Sequence, residues 1–288
     1  MAFIHWAAHG YATTAIFGIG IVGCFYVATR LILDLITRHK TGGKQHRDDD
    51  VESDTPSHSR RGLTAVRLAA LAGVITNFVD NILNIVNLYL VDGYREAMAR
   101  FTAQNFFTIA AGLFLFITAI LMTTALTSPP LKGKSASRIA CVYSTLMWLI
   151  TVYAVVVFIL QAVQIHGERW DTYRRLRRAV PIIGHVYFGL LGLTTLAIGV
   201  GLIRRIIHAR RADVPTAERC ALHMFTYAAL PILTVMMILG IVFRAAYMEI
   251  LDSRFDRPNG YLAYSYISMI VYTWGVLLVF EFARKARF

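Results

Sequence analysis

Asn77, Asp80, Asn81, Asn84 and Asn87 recur at spacings of three, one, three and three inside an otherwise apolar stretch. At about 100° per residue they fall within roughly a third of a helix circumference, and Phe78, Val79, Ile82, Leu83, Ile85 and Val86 fill the rest. Two chemistries suit such a face. The amides can join neighbouring helices, each bond being worth about 0.6 kcal/mol inside a membrane, or they can line a polar cavity for a ligand. Asp80 favours the second, because an ionisable group within a span costs on the order of 3 kcal/mol by insertion scales and must face the bundle or water.

Further polar residues are expected at a similar depth. Gln104 and Asn105 open one apolar stretch, Gln161 and Gln164 close the next, and His185 opens a third. Arg244, Tyr247 and Glu249 close a fourth, and Tyr264 and Tyr266 open the last. A guanidinium at position 244 requires an acidic partner, which Asp80 or Glu249 supplies. The candidate ligand-binding set is therefore Asn77, Asp80, Asn81, Asn84, Asn105, Gln161, His185, Arg244, Tyr247 and Glu249. Between two of these stretches, Trp170, Tyr173 and Leu176 stand at three-residue intervals among Arg169, Arg174, Arg175, Arg177 and Arg178. This pattern predicts a short amphipathic helix anchored on the membrane surface, with arginines able to pair bidentately with phosphate or carboxylate.

Other chemistries find no support. His5 and His9 have i, i+4 spacing suited to a metal, but no third ligand accompanies them, and His185 stands alone within a span. No metal and no cofactor are expected. No nucleophile elbow or phosphate-cradling glycine loop occurs in a strand-to-helix context. The last apolar stretch has no lysine to carry retinal.

The elements that must position these residues are seven apolar stretches, each long enough to cross a bilayer: 11–36, 63–91, 101–127, 139–165, 181–203, 220–250 and 261–282. About 20 apolar residues cover the roughly 30 Å hydrocarbon core. The 288-residue chain is 57% hydrophobic and 16% charged, well below the roughly 25% charged of soluble domains. The expectation is an all-α polytopic membrane protein, a single seven-helix domain over residues 1–288. The net charge of +12 belongs to the loops, where it orients the chain and meets membrane lipid, so nucleic acid is excluded as a partner. The polar stretch 37–62, with Asp48, Asp49, Asp50, Glu52 and Asp54 between basic and Ser/Thr-rich flanks, reads as a disordered cytoplasmic loop.

Seventeen Lys and Arg lie in the first, third and fifth loops and the tail, against nine on the other side. The positive-inside rule then puts the N-terminus outside and the C-terminus in the cytoplasm. The stretch 1–10 lacks a basic segment for a cleavable signal, so the first span is expected to insert the chain. Cys24, Cys141 and Cys220 lie within or beside spans, which predicts no disulfide framework.

In span count, outside N-terminus and a proline, Pro231, inside the sixth helix, the chain resembles G-protein-coupled receptors. It departs from their largest class in having no acidic-Arg-aromatic triplet ending the third span and no Asn-Pro-x-x-Tyr in the seventh. Arg244, Tyr247 and Glu249, followed by Gly260 and a final span, also resemble the end of the sixth span in fungal lipid-translocating exporters. That family's acidic residues early in the seventh span are replaced here by Tyr264 and Tyr266. The polar residues gather toward the outer half of the membrane, and the inner half is expected to be sparse apart from Glu281. The expected function is a receptor-like, non-enzymatic protein of the plasma membrane, with an unknown small-molecule or lipid ligand in an outward-facing cavity and a cytoplasmic signalling partner. A transporter of a lipid or amphiphile is the second reading, and an intramembrane lipid-modifying enzyme the third.

Overall fold

The computed structural model describes residues 2–45, 57–90, 94–127, 134–166, 170–211, 216–239 and 258–285. Backbone N–H and C=O groups in hydrocarbon must be satisfied within their own segment, and the described residues are accordingly helical, with no strand among them. The elements are α1 (Ala2–Gln45), α2 (Ser57–Tyr89), α3 (Tyr94–Thr127), α4 (Lys134–His166), α5 (Trp170–Arg211) and α6 (Thr216–Met224). A π-turn (Phe225–Ala229) follows, then α7 over 230–239, and α8 (Pro258–Lys285). Six stretches are long and apolar enough to cross a membrane: Gly10–Thr37, Thr64–Tyr89, Glu96–Leu126, Ala140–Leu160, Ile182–Ala209 and Leu222–Leu239.

Side-chain contacts set the directions of the helices. Thr14 of α1 meets Tyr89 of α2 while Cys24 meets Asn77, so α1 and α2 run antiparallel. Asn87 and Asn84 both meet Gln104 while Asp80 meets Thr108, so α2 and α3 also run antiparallel. A Cβ on Gly20 would strike Thr273 and one on Gly23 would come within 2.7 Å of Leu277, so α8 runs parallel to α1. The contact between α1 and α8 joins the first and last described helices. Helix α3 packs on α2, α4, α5 and α8 and contributes Leu115, Phe116, Ala119, Ile120, Met122 and Leu126 to the core. Helix α4 stands at the rim, turning Val142, Trp148, Val152, Val155 and Ile159 outward.

Three elements differ from the sequence expectation. The helices extend into the polar stretch 37–62: α1 continues to Gln45 and α2 begins at Ser57, with 46–56 outside the described residues. The segment expected as a separate surface helix is the start of α5, which is continuous for 42 residues through Pro181. A proline inside a helix deprives one carbonyl of its partner, a loss that membrane helices tolerate when local adjustments or neighbours satisfy the group. At Pro231, where a proline inside a helix is expected to produce a kink, a π-turn stands just before it, and the N–H of Leu230 donates to the carbonyl of Phe225. Pro231 has no N–H for the carbonyl of Tyr227 and its ring crowds that oxygen, and the wider turn relieves both demands.

Candidate functional site

The asparagine face of α2 is divided between two neighbours. Asn77 and Asn81 are buried and point toward α1, where their Nδ2 groups approach Cys24 Sγ at 3.4 and 3.9 Å. Asp80, Asn84 and Asn87 lie along the seam with α3. Arg100 Nε donates to Asn87 Oδ1 at 3.1 Å, Asn87 Nδ2 to Gln104 Oε1 at 2.5 Å, and Gln104 Nε2 to Asn84 Oδ1 at 2.7 Å. Asn84 Nδ2 then donates to the backbone carbonyl of Asp80 at 2.8 Å. Each amide in this chain passes its donor the same way, from a guanidinium toward the residue that carries the carboxylate. Such chains polarise one another in a low dielectric.

Thr108 completes the seam. Its hydroxyl lies 2.6 Å from Asp80 Oδ1 and 3.0 Å from the Gln104 carbonyl, one hydrogen between two acceptors. The spacing explains the fit: positions 80, 84 and 87 on α2 face 108, 104 and 100 on α3, one turn to one turn on antiparallel helices. At the same end, Thr14 and Tyr89 share a hydrogen bond of 2.7 Å between α1 and α2.

The opposite end of the bundle is also polar. Arg284 of α8 forks onto Glu281, with Nε to Oε2 at 2.8 Å and Nη2 to Oε1 at 2.6 Å, and its Nη1 reaches Asp34 Oδ2 of α1 at 3.2 Å. Arg67 and Arg205 are buried, exposed by only 3% and 6%. The end of the bundle opposite Asp80, expected to be sparse apart from Glu281, therefore holds more charge than expected. Arg284 and Arg205 are among the seventeen basic residues assigned to the loops and tail, and Asp34 and Arg67 have no role in the sequence expectation.

Of the sequence-chosen residues, Asn77 and Asn81 meet at Cys24, while Asp80 and Asn84 meet α3 through Thr108 and Gln104. Asn105 is partly exposed and follows Gln104 on α3. His185 is exposed on α5, a helix that packs on α3 and α4 rather than on α2. The Gln161 side chain, Arg244, Tyr247 and Glu249 lie outside the described residues, and with them the pairing of Arg244 to Asp80 or Glu249. Cys24, Arg100, Thr108, Asp34 and Arg284 were not singled out for the site. Among the described residues, no three His, Cys, Asp or Glu side chains converge as a metal site.

A shallow apolar depression of about 180 Å³ lies between α1 and α2, lined by Cys24, Phe25, Ala28, Val74, Ile75 and Phe78. The arrangement as a whole defines a helical, multi-pass membrane type of protein with a bonded polar seam at one end and an ionic cluster at the other. The chain matches no family model, no curated protein and no solved structure.

Proposed function

We propose that this chain is a receptor-like seven-helix protein, N-terminus outside, that senses a small-molecule or lipid ligand near Asp80 and relays the change to its cytoplasmic end. The observation that carries the reading is the pairing of two polar clusters at opposite ends of one helix group. The directed chain from Arg100 to Asp80 lies on α2 and α3, and the cluster Asp34–Glu281–Arg284 joins α1 to α8. Both α1 and α8 pack directly on α2. A shift at Asp80 has a short physical route to the far cluster, and alternative hydrogen-bond partners give it discrete states. An outward-facing site suits the plasma membrane, and the basic loops on the other side suit a signalling protein.

Two measurements test this. Tags at the N-terminus and within 46–56 should report opposite sides of the membrane; a common side removes the outward site. Full-length protein screened by thermal shift against lysophospholipids, fatty acids and small amines should give hits that vanish in Asp80→Ala. The transporter reading gains from the apolar depression between α1 and α2 and from polar groups at both ends. Proteoliposomes that move a fluorescent phosphatidylcholine faster than protein-free vesicles would replace the receptor reading with that one.

A further inference from the structure

The C-terminal half of α5 presents two faces that differ in kind. Leu202, Arg205, Ile206 and Ala209 are buried against the bundle. On the outward face Leu193, Leu196, Val200 and Ile203 form one stripe at spacings of three, four and three, each between 49% and 66% exposed. The stripe ends at Arg204 and His208, both exposed and one turn apart, with exposed Ile207 between them. Burial thus separates the adjacent arginines, Arg205 turning inward and Arg204 outward.

The dimensions match one leaflet. From Leu193 to Ile203 the helix rises about 15 Å, half of the roughly 30 Å hydrocarbon core. With Arg204 and His208 at the headgroup level, the four aliphatic side chains run the depth of an acyl chain. Beyond Asp171, α5 contains no acidic residue to compete for the two cationic or donor groups.

We infer that this face of α5 is a binding site for an anionic phospholipid. The Arg204 guanidinium meets the phosphate with two N–H groups, His208 donates one turn along to a second acidic group of the head such as the serine carboxylate, and the chain lies on the stripe. The site rests on α5 crossing the membrane and not on the receptor-like reading. With the proposed orientation it opens to the cytoplasmic leaflet, where anionic lipid is concentrated.

Native mass spectrometry of the full-length protein tests the site, using equimolar dioleoylphosphatidylserine and dioleoylphosphatidylcholine in mild detergent. Phosphatidylserine should be retained preferentially, with about a fivefold loss of preference in Arg204→Gln and a smaller loss in His208→Gln, which removes a hydrogen-bond donor. Arg204→Gln with His208→Gln should bring the two lipids near parity, and Arg204→Lys should keep part of the preference. Arg30→Gln, on an exposed basic residue of α1, should leave it unchanged. An equal loss in Arg30→Gln would mean that lipid follows overall charge and would overturn the site. Displacement by inorganic phosphate would make it a free-anion site, and a changed oligomeric state in the double variant would make the face a contact between copies; either result overturns the lipid assignment. If the double variant does not purify, the single glutamine variants carry the same readout.

Discussion

Helix α2 is held to α3 and to α8 by opposite means. The α2–α3 seam is a run of amide, hydroxyl and guanidinium hydrogen bonds from Arg100 to Asp80. Where α8 meets α1 and α2, glycines receive its side chains: Gly20 faces Thr273, Gly23 faces Leu277 and Gly73 faces the Phe280 ring. Positions 273, 277 and 280 share one face of α8, so three successive knobs enter three glycine-made gaps. Lipid tails are as apolar as leucine, and helices in a membrane gain little by hiding leucine from them. Close packing and hydrogen bonding are what remain, and this molecule applies one on each side of α2. A packed seam has one snug arrangement, whereas a hydrogen-bonded seam can exchange partners. The α2–α3 side is therefore the adaptable one.

The largest effect is expected at the foot of the packed seam. Arg284→Met leaves Glu281 and Asp34 without their cation, at a cost of about 3 kcal/mol in reversible unfolding from mixed detergent micelles. The partial exposure of Asp34 holds the cost to the lower end of the buried-pair range. Adding Asp34→Asn and Glu281→Gln should recover most of the loss. Additive losses across the three substitutions would mean that the cluster is not one unit.

Gly73→Ala comes next, at roughly 2 kcal/mol, because its Cβ would enter the fully buried Phe280 ring, which has no free end to swing aside. Gly23→Ala should cost less, since the one close contact of its Cβ is the terminal Cδ1 methyl of the flexible Leu277 side chain, at 2.7 Å. If the two cost the same, the seam is looser than three fitted knobs require. On the bonded side, Gln104→Ala removes the partner of both Asn84 and Asn87 and should cost about 1–2 kcal/mol. A double-mutant cycle of Gln104→Ala with Asn87→Ala should show coupling; independence would break the comparison by making the chain a set of unrelated contacts.

How far the sequence carried these points depends on the range of each signal. The α2 stripe was visible because a 3.6-residue period is local, and six spanning stretches were visible because length and apolarity are local too. The choice of partner was not. Asn77 meets Cys24 across 53 positions and Arg284 meets Asp34 across 250, separations at which no spacing rule applies. The seventeen basic residues that set the orientation also include Arg284 and Arg205, although one bridges two helices and the other is buried. The fifth span, expected over 181–203, matches the apolar stretch Ile182–Ala209, but its helix begins at Trp170, because apolarity marks the membrane portion of a helix and not its end. The glycines of the α8 seam looked neutral in sequence because their meaning lies in what faces them.

The smallest expected change in stability bears most directly on function. Asp80→Asn keeps the size and the acceptor oxygen that Thr108 approaches, and leaves the backbone carbonyl bonded to Asn84 untouched. It removes a charge whose place in a membrane costs on the order of 3 kcal/mol. Unfolding stability should therefore stay within about 0.5 kcal/mol of the parent or rise. A neutral or stabilising result, together with loss of the ligand-induced thermal shift, would separate the carboxylate's role from the fold. A loss above about 1 kcal/mol would instead give Asp80 a structural cation beyond the hydrogen bond to Thr108, with Arg244 the first residue to neutralise in a second cycle. The adaptable seam would then be pinned at its carboxylate end, and the contrast between the two sides of α2 would narrow to the segment from Asn84 to Arg100.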